Sequence, residues 1–238
     1  MNILILLVAA LFPAILLWIN IWRQDPQPEP TGQLVKAILY GVAICIPAVF
    51  IERFISQVLL GAGPTTIFGT TVEAFFVAAL PEEGLKLLAL WLILRRNPHF
   101  DEHFDGIIYA VCIGLGFAAI ENVGYVMDNE ESWYQVAVAR ALLAVPAHYI
   151  FAVLMGYYYS VYHFVDHSPR TAVFILLIPV LAHGVYDTIA LSSNIYPFIG
   201  DICFAILFFS CIKMRKVARA KIMAQIQKDN EDTNINIA

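Results

Sequence analysis

Long apolar runs broken by short polar stretches set the pattern of this chain. Crossing a bilayer as a helix takes about 20 apolar residues. Seven segments meet or approach that length, near residues 2–22, 34–60, 66–94, 106–127, 133–164, 171–193 and 196–212. The first is too long for a cleaved signal peptide and lacks a small-residue cleavage motif, so it is read as a span. Glu52 and Arg53 interrupt the second late, which predicts an interfacial end. The third and fifth are longer than the bilayer core requires, and each carries a proline near its middle, Pro81 and Pro146. Both are therefore expected to kink or break there. A break at Pro81 places Glu82 and Glu83 in the first turn of a new helix, where the helix dipole favours carboxylates.

The fold class that follows is all-α: a polytopic membrane helix bundle of about seven spans, with its functional site in the bundle core. Composition agrees. Hydrophobic residues make up 60% of the chain and charged residues 14%, against roughly 25% charged in soluble domains. Mean hydropathy is +0.73. The net charge of −5 says little, because charges are segregated by region. Residues 1–212 form the membrane domain, and 213–238 a basic and then polar tail, expected to be disordered from about Gln227. The tail carries Lys213, Arg215, Lys216, Arg219 and Lys221, which predicts a cytoplasmic C-terminus and, through seven spans, an external N-terminus. The other loops assigned inside hold Arg23, Lys36, Arg95, Arg96 and Arg170. Those assigned outside (61–64, Asp128–Glu131 and the turn at Asn194) hold no Lys or Arg. No nucleic-acid surface is indicated. Cys45, Cys112, Cys203 and Cys211 lie in apolar runs without a C-x-x-C pair and read as packing residues.

Chemistry is concentrated in the charges at membrane depth. Glu73, Glu82, Glu83, Lys86, Glu121, Asn122, Arg140, His148, His183 and Asp187 all fall inside predicted spans. Each is costly in hydrocarbon, so they are expected to converge on one polar interior. Glu82 and Lys86 share a helix face at i, i+4, and Lys86 is placed to split the ionisation of the two glutamates, as acid–base hydrolysis needs. The blander alternative is a buried ion pair that fixes packing. Glu121 lies on a Gly- and Ala-rich helix, and a purely structural pair with Arg140 is its alternative. His148 follows Pro146 and could be a hydrogen-bonded packing residue. His183 and Asp187 are again i, i+4, a histidine oriented by a carboxylate. Glu73 is placed as a supporting or pathway residue.

Taken in order, these motifs resemble a known family. Glu82–Lys86 matches E-E-x-x-K, Phe117–Glu121 matches F-x-x-x-E followed by Asn122, His148 is a single intramembrane histidine, and His183–Asp187 matches H-x-x-x-D. Together they resemble the PrsW family of bacterial membrane proteases, within a wider group that includes the CAAX-prenyl endopeptidases and Abi-type immunity proteins. The resemblance implies an intramembrane peptidase whose glutamate activates water. Glu82, Glu83, Glu121, His148 and His183 match the catalytic positions, while Lys86, Asp187, Asn122, Glu73 and Arg140 support them. The wider group often has histidine where this chain has Glu121 and asparagine where it has Asp187. An ionised aspartate cannot donate to an oxyanion as asparagine can, so the donor is either a protonated Asp187 or His183. The implied substrates are single-span membrane proteins of the anti-sigma-factor type, and the implied setting is a bacterial cell membrane. The bilayer and that substrate are the expected partners.

No H-E-x-x-H signature is present, so the reading is of a metal-independent enzyme with no cofactor. A zinc peptidase using His148, His183 and a glutamate is the first rival. A proton-coupled transporter or a non-catalytic scaffold is the second.

Overall fold

A computed structural model describes residues 3–61 and 63–237. Asn2 of the first predicted span, Ala62 of the first outer loop and the terminal Ala238 lie outside the described residues. The chain is helical throughout, with no strand among the described residues: α1 (Ile3–Trp22), α2 (Thr31–Leu59), α3 (Ile67–Val72), a π-helical stretch (Glu73–Ala79), α4 (Leu80–Leu94), α5 (Asp105–Asp128), α6 (Trp133–Leu142), α7 (Ala144–Val161), a π turn (Tyr162–Asp166), α8 (Pro169–Ile195), a 3₁₀ turn (Pro197–Ile199) and α9 (Gly200–Ile237). A bilayer offers no water to backbone amides, so helices that bond internally are the expected solution.

Five stretches are long and apolar enough to cross a membrane: Ile3–Trp22, Thr31–Leu59, Asp105–Asp128, Trp133–Asp166 and Pro169–Ser193. The other two predicted spans map onto α3–α4, whose interior carries Glu73, Glu82, Glu83 and Lys86, and onto the apolar first part of α9. A bundle of about seven spans results. Its surface is inverted relative to a soluble protein. Phe50 and Phe54 on α2 are 67% and 68% exposed, whereas Glu83 is fully enclosed.

The core is built on α5 and α7. Every residue of α5 from Asp105 to Ala118 is buried, and this helix packs against α1, α2, α4 and α7. The α5–α7 crossing is close because glycines meet at it. A Cβ added at Gly156 would lie 2.6 Å from Ile107 Cα, and one at Gly106 would lie 2.9 Å from the Gly156 carbonyl oxygen. Small residues at such crossings let backbones approach.

Three local expectations are altered. The third segment does not break at Pro81. Its winding changes to π over Glu73–Ala79, and Pro81 follows in the first turn of α4. Glu82 and Glu83 do fall in that first turn. The fifth segment divides at Leu143 (φ −121°, ψ −66°), so that Pro146 stands in the first turn of α7. Finally, α9 runs unbroken past Ile212 and past Gln227 to Ile237. Its far end is tethered: Asp229 accepts hydrogen bonds from the backbone N–H groups of His103 (2.6 Å) and Phe104 (2.9 Å). α2 continues as a helix through Glu52 and Arg53 to Leu59, in keeping with the predicted segment 34–60.

Candidate active site

Residues far apart in sequence meet in one buried cluster among α4, α5, α7 and α8. Its centre is the Lys86 ammonium. Nζ donates to Glu82 Oε2 (3.0 Å) and to Glu83 Oε1 (2.9 Å), and lies 3.2 Å from His148 Nδ1. It also sits 4.1 Å from the centroid of the Phe117 ring, a distance at which the ring face attracts a cation. The i+3 and i+4 spacings turn both glutamates toward the lysine from one helix.

The lysine fixes the tautomer of His148. An ammonium group has no acceptor, so Nδ1 accepts from it, and Nε2–H donates to Glu121 Oε2 (2.8 Å). Glu121 is held in turn by Arg140 Nη2 (3.1 Å). Arg140 Nε donates to Asn122 Oδ1 (2.8 Å), and Asn122 Nδ2 donates to the Ala10 carbonyl of α1 (2.6 Å). The guanidinium also lies 3.9 Å from the centroid of the Tyr125 ring. Glu121 therefore makes both the structural pair with Arg140 and the bond to His148.

The second histidine closes the far side. His183 Nδ1 lies 2.9 Å from Glu83 Oε1, and Nε2 lies 3.1 Å from Asp187 Oδ2. The His148 and His183 rings are 5.3 Å apart and nearly perpendicular. Phe151 stacks on His183 at 4.9 Å and 20°.

The two glutamates are not equivalent. The Glu83 side chain is wholly enclosed, with Oε1 shared by Lys86 and His183 and Oε2 lacking any hydrogen-bond partner. The Glu82 side chain retains 8% exposure. Of the two, Glu82 is the less enclosed.

Nine of the ten residues singled out from sequence join this network. Glu73 does not, except through its charge: half-buried on the π-helical stretch, it makes no ion pair or hydrogen bond with the others among the described residues, but its charge interacts with that of Asp187. Two contributors were missed. Phe151 lies one turn beyond His148 on the same face of α7, a spacing that could have flagged it. Glu52 of α2 is close enough for its charge to interact with those of Glu82 and Glu121. A lone acid inside an otherwise apolar helix was its signal.

The donor set also suits a metal ion. Glu82, Glu83, His148 and His183 each offer one ligand atom, and these atoms lie within 4.8 Å of one another. Two imidazoles and two carboxylates are acceptable to zinc, and Glu121 and Asp187 stand behind the histidines as outer carboxylates commonly do.

Comparison with known proteins places this arrangement. A family profile described as PrsW family intramembrane metalloprotease matches residues 29–213. The protein named Protease PrsW from Geobacillus kaustophilus is 32% identical over 206 residues, covering 86% of this chain and 87% of its own. Its namesake from Clostridioides difficile is 35% identical over 185 residues, 76% of each chain. That from Bacillus subtilis is 31% identical over 223 residues, 92% of this chain and 97% of its own. No solved structure matches the chain. With the matched region enclosing the whole buried cluster from Glu82 to Asp187, the chain belongs to the PrsW family.

Proposed function

We propose that the protein is an endopeptidase that cleaves membrane-anchored proteins within or at the edge of the bilayer, through a glutamate-activated water. The observation that carries this reading is the asymmetric glutamate pair on one lysine, with two histidines facing it from other helices. Glu82, the more accessible, is the general base that takes a proton from water. Glu83 and Lys86 hold it in place. Glu82 then returns that proton to the leaving amine, while His148, backed by Glu121 and Arg140, positions the water, and His183, whose Nε2–H turns from Asp187 to the substrate, polarises the scissile carbonyl. A positioned base or acid contributes about 10²–10⁴-fold in rate.

The reading is metal-independent because Lys86 Nζ already stands among three of the four candidate ligands, at 2.9–3.2 Å. Zinc would bind its nitrogen and oxygen ligands at about 2.0–2.2 Å, so ion and ammonium compete for one place.

A second reading is favoured by the donor set itself and by the partnerless Oε2 of Glu83. His148, His183 and Glu83 would hold a divalent metal, which would supply a Lewis acid for the carbonyl and for water. Glu121 and Asp187 would keep the imidazoles oriented, and Glu82 would be left as the proton acceptor.

Single-span membrane proteins of the anti-sigma-factor type are the proposed substrates, on the strength of family resemblance. The cytoplasmic placement of the C-terminus rests on loop charge, and the setting is a bacterial cell membrane. The deciding experiment incubates purified protein with a single-span substrate and looks for a discrete fragment, with and without a chelator, alongside elemental analysis. Cleavage by metal-free protein that is lost in Glu82→Gln supports the first reading. Cleavage restored only by added metal replaces it with the second, and no fragment under any condition removes both.

A further inference from the structure

Two glycine contacts in this bundle differ in kind. At the α5–α7 crossing, backbone meets backbone. At Gly184 of α8, the residue after His183, the neighbour is a side chain. A Cβ added there would lie 2.5 Å from Cδ1 and Cε1 of the Phe75 ring, which projects from the π-helical stretch. The ring thus rests on bare helix backbone. A backbone contact yields only if a helix moves, whereas a ring yields by turning about its own side-chain bonds. With Glu83 wholly enclosed and Glu82 and His183 nearly so, no peptide reaches them unless something yields.

The contact between Phe75 and Gly184 lies between the site and the lipid. Successive residues step about 100° around a helix. Going round α8 from the buried His183, Gly184 comes before Leu181 and Val185, both of which are exposed on the apolar outside. On the π-helical stretch, Phe75 is half-buried between the buried Ala74 and the exposed Phe76. Apolar packing alone closes this seam: among the described residues, no hydrogen bond or ion pair joins Glu73–Ala79 to α8. The charges of Glu73 and Asp187 repel across it. In lipid such packing gains nothing from the hydrophobic effect. α4, by contrast, is fastened to α8 by the bond between Glu83 and His183 (2.9 Å). The seam can therefore part while that pair stays in place. Its π winding is a rare geometry that recurs at functional sites.

We propose that a membrane-anchored substrate enters from the bilayer between the π-helical stretch and α8, and that Phe75 is the residue it displaces on its way to His183. The inference rests on the peptidase reading above. Turning the ring off Gly184 uncovers a strip of helix backbone beside His183, and an apolar segment of the substrate packs there as the ring did. The movement needs no shift of α4, so Glu82, Glu83 and Lys86 keep their places. Phe75 therefore positions the substrate and takes no part in the proton transfers.

The test locks the seam in full-length protein in nanodiscs. A Cβ added at Gly184 would lie 2.7 Å from Phe75 Cγ, so combining Phe75→Cys with Gly184→Cys brings two Cβ atoms within the roughly 3.5–4.5 Å that a disulfide spans. The oxidised double variant should cleave a tagged single-span substrate about tenfold or more slowly than the same preparation after reduction, as blocking a gating step does. Recovery on reduction shows that the variant is folded, and the parent and each single variant should be indifferent to oxidation. A second arm needs no cleavage. Glu82→Gln carrying photoreactive benzoylphenylalanine in place of Phe75 should form an adduct with the same substrate. The probe in place of Phe50, a lipid-facing ring of α2, should form little. Three results would each overturn the proposal. One is a cysteine pair that does not oxidise, since the contact would then be absent. Another is a locked protein that cleaves at its reduced rate. The third is an adduct missing at Phe75 or equally strong at Phe50. A parent that cuts nothing counts against the peptidase reading alone, and the adduct then decides the route of entry.

Discussion

Changing Glu82 to glutamine separates chemistry from folding, and the structure gives the size of each effect. The substitution keeps the side-chain shape but removes the basic oxygen. Loss of a general base costs about 10²–10⁴-fold in rate, or roughly 3–5 kcal/mol on the barrier. The stability cost should be much smaller. Stranding a buried charge costs about 3–5 kcal/mol, but Lys86 is not stranded. It retains Glu83 at 2.9 Å and His148 at 3.2 Å, and the glutamine carbonyl can still accept from it. What is lost is the charged part of one hydrogen bond, about 1–2 kcal/mol. The assay reconstitutes parent and variant in the same lipid with a tagged single-span substrate. Initial rates of fragment release are compared, and thermal unfolding is recorded on the same preparations. At least a hundredfold loss of rate with near-parent unfolding is expected. A variant that cuts within tenfold of the parent rate would refute Glu82 as the base. A variant that fails to fold would refute the claim that Lys86 stays paired.

Four further outcomes can be checked. Lys86→Met should do the reverse in stability: it leaves Glu82 and Glu83 buried without their cation, costing about 3–5 kcal/mol, and partial rescue is expected from adding Glu83→Gln, read by thermal unfolding. His183→Ala should lower cleavage about as severely as Glu82→Gln, whereas Glu73→Gln should keep most of the activity, and equal loss in the two would break the distinction between network and bystander. Gly156→Val should destabilise the α5–α7 crossing by several kcal/mol, since overpacking a tight contact costs about 1–3 kcal/mol even where side chains can yield and here the nearest atoms are backbone, the Gly106 carbonyl oxygen and then Ile107 Cα at 2.6 Å; parent-like stability would mean that the helices separate freely. A reporter fused at Ala238 should be active only on the cytoplasmic side, and labelling from outside would invert the topology.

Much of the site could be read from spacing within single helices. Glu82 with Lys86, and His183 with Asp187, are i, i+4 pairs whose contact follows from helix geometry alone. The cost of charge in hydrocarbon then required the pairs to meet, and they do. What spacing could not supply was pairing between helices. That His148 Nε2 takes Glu121, while Nδ1 takes Lys86, depends on how α5, α7 and α4 pack, and no local rule encodes that. Glu52 was overlooked because it adjoins Arg53 late in a long span and so resembled a helix end at the interface. The α9 extension was illegible for a related reason: its sequence beyond Gln227 is polar, and Asp229 is held by His103 and Phe104, residues distant in sequence.

The π-helical winding at Glu73–Ala79 has a consequence for how this chain tolerates insertions and deletions. Its i→i+5 ladder takes up one more residue per turn than α winding does. A residue removed between Glu73 and Ala79 could therefore be absorbed by converting the stretch to α geometry, with α3 and α4 kept in their seats and Glu82, Glu83 and Lys86 still facing inward. The same deletion within α4 has no such slack. It would rotate every following side chain by about 100°, the step of a 3.6-residue turn, and carry the Glu–Glu–Lys constellation toward lipid. Length variation among related chains should accordingly gather in the turn before the glutamates and be missing from the turn that bears them.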